Sequence, residues 1–331
     1  MSMSVIRSTA VLAWRHGGPD VLELTEIDVP APGPGEIRIV QQGIGLNFAD
    51  IYQRRGAHGP HQTTAFPVIL GSEGAGIVQT VGEGVTDFAV GDAVAYLMPG
   101  AYARVRNLPA ARALKLPDGL SIEQAAGTLL RGMTAEYLLH RLYAVKPGDR
   151  ILVHAAAGGM GQILSAWGRA LGAEVIGTVG SPAKIAVARD AGCHHVIDYR
   201  SEDFAARVLE LTGGEGVHVV YDAVGRDVFL PSLACLRVRG MAINYGTASG
   251  DVEAFDLQLL HAKSLSVCRP TLRSFTVTTA ELRQSAETYA AAVRRGDVRA
   301  TITRRYPLTE IARAHADLEG RATAGAVVLI P

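Results

Sequence analysis

The sequence predicts an α/β protein of two units, one β-rich and barrel-like, the other a doubly wound parallel sheet. Three features carry this expectation. Residues 1–131 are dominated by short β-leaning runs broken by Gly/Pro turns, as in small barrels and sandwiches. From Gly132 strands and helices alternate, and each strand is nearly all apolar, as in a parallel sheet covered on both faces. Beyond Arg269 that rhythm stops, so the last segments are expected to return and complete the first unit.

In order along the chain, VLELTEIDV, EIRIVQQGIG, EGAGIVQTVG and DAVAYLM read as strands, separated by breakers such as PAPGPGE and VGEGVTDFAVGD. NFADIYQRRG, residues 47–56, reads as a short helix or turn after a strand. RILVHA then gives a strand, GQILSAWGRALGA a helix, EVIGTVG a strand and PAKIAVARDAG a helix. HVIDY, DFAARVLELTGG, VHVVYDAVG, DVFLPSLACLRVRG and GMAINYGT continue the alternation, whose right-handed crossovers make the sheet doubly wound. AELRQSAETYAAAVRRGDV sets Leu282, Ala286, Tyr289 and Val293 on one helical stripe. A short strand, the helix LTEIARAHADLEG and the strand AVVLI close the chain.

Composition narrows the function classes. The 331 residues are 48% hydrophobic and 19% charged, which suits a globular protein with a substantial core. Lys+Arg and Asp+Glu both number 32, a balance that favours neither a nucleic-acid partner nor an anionic membrane surface. The three cysteines, Cys193, Cys235 and Cys268, are too few and too scattered for a disulfide framework or a CxxC metal site. MSMSVIRSTAVLAW lacks the apolar core of a signal peptide, and no run approaches a membrane span, so a cytoplasmic location is expected.

The stretch HAAAGGMGQ, residues 154–162, crowds small residues and glycines between an apolar strand and a helix. That is the context of a dinucleotide fingerprint, in which glycines open the helix N-terminal N–H groups to a pyrophosphate. The spacing is A-x-x-G-x-x-G, with Ala155 in place of the first glycine of the strict motif. Gly158 and Gly159 admit the phosphate, and Gly161 allows close packing of helix on strand.

The stretches GLNFADIYQRRG, AFPVILGSEGAGIV, LLRGMTAEYLL, HAAAGGMGQ, GTVGSPAK, HHVIDYRSEDF, VVYDAVGRD and RATAGAVVLIP together resemble the NADPH:quinone reductases. These form the zeta-crystallin-like, zinc-free branch of the medium-chain dehydrogenase/reductase superfamily. The resemblance implies a GroES-like domain from residues 1–131 and 270–331 around a Rossmann domain of residues 132–269. It implies NADPH as cofactor and a small quinone or enone as substrate. Asn47, Tyr52 and Thr134 resemble residues lining the nicotinamide and substrate pocket. Tyr137, Met160, Val224, Tyr245, Gly246, Thr247 and Arg321 join the glycine turn as implied cofactor contacts. A homodimer is also implied, by sheet extension at the exposed edge near Ser264 to Val267.

Zinc-dependent relatives carry Cys where this chain has Asn47, and Gly-His-Glu where it has Gly71-Ser72-Glu73. The four-cysteine structural lobe is missing too, and His58 and His61 in GAHGPHQ have no thiolate or carboxylate cluster to join. His154, His194 and His195 read as packed or hydrogen-bonded residues of the sheet. A metal-independent enzyme is therefore expected, one that reduces an already electrophilic acceptor while the nicotinamide carries the hydride. No His-Asp or Ser-Tyr-Lys constellation stands out, so no general acid is assigned. An enone or enoyl reductase on the same scaffold is the alternative, and an RNA-binding role, known in the family, is disfavoured by the neutral charge.

The end of the second strand chooses the dinucleotide. An NAD-specific unit places Asp or Glu there for the ribose 2′-OH, about 20 residues beyond the glycines. Here EVIGTVGS ends in Gly180-Ser181, and Lys184 follows within a turn, suited to a 2′-phosphate as a point charge. Tyr199, in VIDYR, resembles the residue that flanks the same phosphate and adenine. NADPH is expected over NADH.

Overall fold

The computed structural model describes residues 5–57, 65–320 and 325–331. Its elements run β1 (Ile6–Ala13), β2 (Leu22–Val29), β3 (Glu36–Leu46), α1 (Phe48–Arg55), β4 (Val68–Ile69), β5 (Glu73–Val81), β6 (Ala93–Leu97), β7 (Val105–Pro109), β8 (Ala113–Lys115) and α2 (Ile122–Glu136). Then come β9 (Arg150–Val153), α3 (Gly159–Ala170), β10 (Glu174–Val179), α4 (Ile185–Asp190), β11 (His195–Asp198), α5 (Phe204–Leu211), β12 (Val217–Asp222), α6 (Phe229–Ala234), β13 (Leu236–Asn244) and β14 (Ser266–Cys268). The chain closes with α7 (Thr279–Arg295), β15 (Ile302–Pro307), α8 (Ile311–Glu319) and β16 (Ala326–Ile330).

Two compact units result. The first comprises Met1–Leu130, Thr278–Arg294 and Ala300–Pro331, the second Arg131–Val277 with Arg295–Arg299. In the first unit a seven-stranded sheet has the order β15-β16-β3-β5-β6-β8, with β7 also paired to β3, and a smaller sheet has the order β2-β1-β4. The returning strand β16 pairs antiparallel with β3 through Val327–Leu46 and Leu329–Ile44. One core fills the space between, taking Val11, Ile37, Ile39, Tyr102, Ile311 and Leu329 from segments at both ends of the chain. Burying apolar side chains from so many strands stabilises each by roughly 1.5–3 kcal/mol.

The second unit is a six-stranded sheet in the order β11-β10-β9-β12-β13-β14, all pairs parallel. The order reverses between β9 and β12, the place where a doubly wound sheet opens its ligand crevice. The strands are buried on both faces, as their apolar runs require: Ile151, Leu152 and Val153 of β9 are fully buried. The structure differs from the sequence reading in detail. β13 starts at Leu236, within the LRVRG segment, with Arg239 at a left-handed φ of 61° and a register shift against β12. α2, which the sequence reading did not place, changes at its end to a π-helical turn over Tyr137–Leu142, a widening that periodicity does not announce. The edge strand is β14 at Ser266–Cys268 rather than from Ser264, which takes a left-handed φ of 50° just before it.

Candidate active site

The glycine turn lies between β9 and α3. His154 N donates to Tyr221 O and Ala156 N to Thr178 O, anchoring the turn to the strands on either side of β9. Ala155 takes φ 52°, the left-handed conformation that a glycine adopts freely, so alanine there costs about 1–2 kcal/mol that the packing around it offsets. Gly158 caps α3 with no side-chain acceptor, which leaves the first-turn N–H groups of Gly159, Met160 and Gly161 for an anion. Gly161 has a packing reason to lack a side chain: a Cβ there would lie 2.3 Å from Ala155 O and 2.6 Å from Ala156 Cα. The backbone of α3 thus approaches the turn as closely as backbones can.

His154, beside the turn, is fully buried between Thr178 Oγ1 at 2.8 Å and Ser232 Oγ at 2.7 Å. His194 Nδ1 accepts from Val175 N, and His195 Nε2 lies 3.2 Å from Glu174 Oε1. These three histidines hold strands, and none faces another as a ligand pair would.

At the end of β10, Gly180 and Ser181 lead into a 3₁₀ turn over Pro182–Lys184. No acid stands there, and Lys184 is half-buried with no ion pair among the described residues. Tyr199 follows β11, and its hydroxyl lies so close that a Cβ on Gly180 would be 2.6 Å from it. Lys184, Gly180 and Tyr199 therefore share one end of the sheet. On the other side of the reversal, Val224 and Gly246 are buried and Tyr245 and Thr247 half-buried, in the loops after β12 and β13.

Tyr137 opens the π-helical turn and is buried, stacked on Phe275 with ring centroids 4.3 Å apart and planes 10° from parallel. Its hydroxyl pKa is pushed well up by burial. Thr134, one turn earlier on α2, is also buried. Arg321 lies outside the described residues.

In the first unit, Asn47 caps α1. Its backbone N–H donates to Asp50 Oδ2 at 2.8 Å, the N-cap-to-N3 reciprocity of a capping box. Its side chain is nearly all buried, with Nδ2 donating to Glu73 Oε1 at 2.7 Å, while Glu73 Oε2 accepts from Leu130 N at 2.7 Å. Tyr52, one turn along α1, is half-buried against Phe48.

Behind α1 runs a buried chain of polar groups that the residue types alone do not reveal. Arg54, held by Glu319, faces His315 Nδ1 at 3.0 Å; His315 Nε2 faces Tyr102 Oη at 3.0 Å; Tyr102 Oη reaches Asp50 Oδ2 at 3.0 Å, and Ser72 Oγ also bonds Asp50. A guanidinium only donates, so His315 Nδ1 accepts, Nε2–H donates to Tyr102, and Tyr102 donates to Asp50. Every proton points toward Asp50, and the head of the chain is an arginine that stays protonated. The chain can orient α1 and Ser72; it cannot pass protons along. The one local signal for any of it is Asp50, three residues after Asn47. Tyr102 and His315 carry none.

A zinc ion does not fit this corner. The Asn47 amide is turned to Glu73 as a donor, Ser72 gives its hydroxyl proton to Asp50, and neither is a thiolate, imidazole or carboxylate of the kind that holds zinc. Among the described residues no group of three or more His, Cys, Asp or Glu is placed to hold a metal; His58 and His61 lie outside them.

Comparison with known proteins bears on both units. Residues 33–146 match the family described as alcohol dehydrogenase GroES-like domain, and residues 159–291 match that described as zinc-binding dehydrogenase. A quinone oxidoreductase of Pseudomonas aeruginosa is 46% identical over 319 residues, 96% of this chain and 97% of that protein. A 2-haloacrylate reductase of a Burkholderia species is 44% identical over 328 residues, 97% of this chain and 98% of that protein. The crystal structure of Escherichia coli quinone oxidoreductase complexed with NADPH superposes with a TM-score of 0.93 at 43% identity, covering 98% of this chain and all of that one. With its GroES-like and doubly wound units and these near-full-length likenesses, the chain belongs to the quinone oxidoreductase family of the medium-chain dehydrogenases/reductases.

Proposed function

We propose that the protein is an NADPH-dependent quinone reductase. The observation that carries this reading is the sheet end where an uncapped glycine turn meets a second strand without a terminal acid and with Lys184 close behind. The relatives named quinone oxidoreductase, one of them complexed with NADPH, support the same reading. The bound nicotinamide supplies the hydride. The chain's own part is binding and orientation: Gly158, Gly159, Met160 and Gly161 receive the pyrophosphate, and Gly180, Ser181, Lys184 and Tyr199 receive the adenosine 2′-phosphate. Val224, Tyr245, Gly246 and Thr247 take the nicotinamide half, with Tyr137 and Arg321 as further cofactor contacts. Asn47, Tyr52 and Thr134 are proposed for the nicotinamide and quinone pocket.

A second reading, reduction of an activated alkene, is favoured by the relative named 2-haloacrylate reductase. Steady-state rates with NADPH on 1,4-quinones, enones and 2-haloacrylates separate the two. The expected result is a kcat/KM at least about tenfold higher for a quinone, equivalent to about 1.4 kcal/mol of transition-state preference. The reverse order would install the alkene reductase.

A homodimer is part of the proposal, with β14 as the joining edge; Val267 on it is exposed. Light scattering at micromolar concentration is expected to give twice the chain mass, and a monomer there would refute the assembly. A cytoplasmic location completes the proposal, in keeping with the free thiols of Cys193, Cys235 and Cys268. No helix among the described residues is long and apolar enough to cross a membrane.

A further inference from the structure

We propose that Asp222, buried at the end of β12, is a positioning residue for the cofactor, clamping together the two loops that receive its nicotinamide half. The proposal rests on the NADPH reading above. Asp222 is 1% exposed, yet it carries a carboxylate. Oδ1 accepts from Val224 N at 2.7 Å and Gly225 N at 3.0 Å, both in the loop after β12. Oδ2 accepts at 2.8 Å from Asn244 Nδ2, at the end of β13, and the same amide nitrogen donates to Gly246 O at 2.9 Å. The Asp222 carbonyl takes Tyr245 N at 2.8 Å. Arg269, just past β14, donates to Asn244 O at 3.0 Å. Beside the main-chain bonds of Ala248 N to Ala223 O, Ser249 N to Val224 O and Arg226 N to Gly250 O, this one side chain adds a link between the loop after β12 and the loop after β13. Arg269 ties that pair to the end of β14.

The chemistry asks for an ionised acid here. Three N–H groups converge on the carboxylate and no acceptor is among them, so only a group with acceptor capacity on both oxygens satisfies them all. Burial raises the Asp222 pKa, and the three donors and the Arg269 charge oppose that rise. A plain β-turn would need only the Oδ1 half of this arrangement, which asparagine supplies. The Oδ2 half serves to hold Asn244, and through it Gly246.

The place of the clamp explains its use. A dinucleotide crosses a doubly wound sheet at the reversal of strand order, with one half on each side. Lys184 and Tyr199 stand at the ends of β10 and β11, on the adenosine side; the clamped loops stand at the ends of β12 and β13, on the other. Gly246 is pressed so close that a Cβ there would lie 2.8 Å from Ala223 O, so the two loops meet backbone to backbone at this point.

Asp222→Asn keeps an oxygen for Val224 and Gly225 but sets an amide NH₂ against the NH₂ of Asn244. Turning Asn244 over relieves that clash and loses Gly246 O. The side-chain link between the loops is then lost, while their main-chain bonds and the strand pairing remain. The test is binding by the full chain, NADPH by its fluorescence and adenosine 2′,5′-bisphosphate by calorimetry. For Asp222→Asn, and for Asn244→Ala as the second variant, the Kd for NADPH is expected to rise about tenfold, the worth of one charge-assisted hydrogen bond. The Kd for the bisphosphate, which occupies the adenosine side alone, is expected to stay within about twofold of wild type, below the worth of one hydrogen bond. Equal weakening of both ligands, or no change in either, would overturn the positioning role. So would failure of both variants to fold, which would make the clamp a requirement of folding alone. A wild-type protein that binds the bisphosphate but not NADPH, or neither, would overturn the cofactor reading and this proposal with it, whereas unaltered variants beside a competent wild type would overturn only the proposal.

Discussion

Acidification from pH 7 to pH 5 is expected to remove about 2 kcal/mol of stability from each unit, through one buried histidine in each. In the second unit it is His154. Ser232 Oγ gives its only proton to Val228 O at 2.6 Å, so it accepts from His154 Nε2–H, and Nδ1 accepts from the Thr178 hydroxyl. In the first unit it is His315, whose Nδ1 faces the Arg54 guanidinium at 3.0 Å; a proton on that nitrogen would meet another donor. Burial lowers the pKa of His154 to about 3, and burial followed by the Arg54 charge lowers that of His315 to about 3.

The sign follows from which state binds the proton first. An unfolded histidine protonates near pH 6.5, well before either folded one, so below that pH the unfolded chain gains protons that the native state refuses. The stability due to each neutral ring is complete above about pH 6.5 and declines as the pH falls toward about 3. His140, His194 and His218 are lowered by burial as well and act in the same direction. Asp222, raised by burial, acts in the opposite one. Urea unfolding at the two pH values measures the effect. His154→Gln and His315→Gln should each flatten the dependence in their own unit. Stabilities within about 1 kcal/mol of each other at pH 5 and 7 would mean that these rings are not held neutral by the fold.

Replacing Lys184 with alanine is expected to weaken NADPH binding by about ten- to a hundredfold while leaving NADH binding nearly unchanged, since a charge-assisted contact is worth roughly 1.5–3 kcal/mol. Lys184 ends a 3₁₀ turn that opens with Pro182, so its backbone is held close to the end of β10, with Lys184 N bonded to Ser181 O at 3.0 Å. The residue is half-buried and its ammonium has no carboxylate partner among the described residues, so no ion pair must break before a 2′-phosphate can be met. The absence of an acid at Gly180 and Ser181 removes the repulsion that an NAD-type site would impose. Dissociation constants for both dinucleotides, measured on Lys184→Ala at fixed salt, decide the matter. Equal losses for NADPH and NADH would show that Lys184 does not read the phosphate.

By itself the sequence determined the class of the protein: an alternating apolar region between two β-rich ends, with a glycine turn after its first strand. These are local properties. Alternation follows from burial of a parallel sheet on both faces, and the turn HAAAGGMG is written in consecutive residues because a single strand-to-helix corner builds it. The missing acid at the end of β10 was equally legible, being one position on one strand. What only the tertiary structure decided are the meetings of distant residues. Asp50, Tyr102 and His315 are separated by scores of residues and touch because β16 and α8 return to β3 and α1. Asp222 and Asn244 meet because parallel strands β12 and β13 end side by side. Tyr137 stacks on Phe275 after a π-helical widening that no spacing rule marks. Hydrophobic pattern reports which face of an element is buried, whereas the partner of a buried polar group depends on how the elements are registered against one another, and that register is a property of the packed chain.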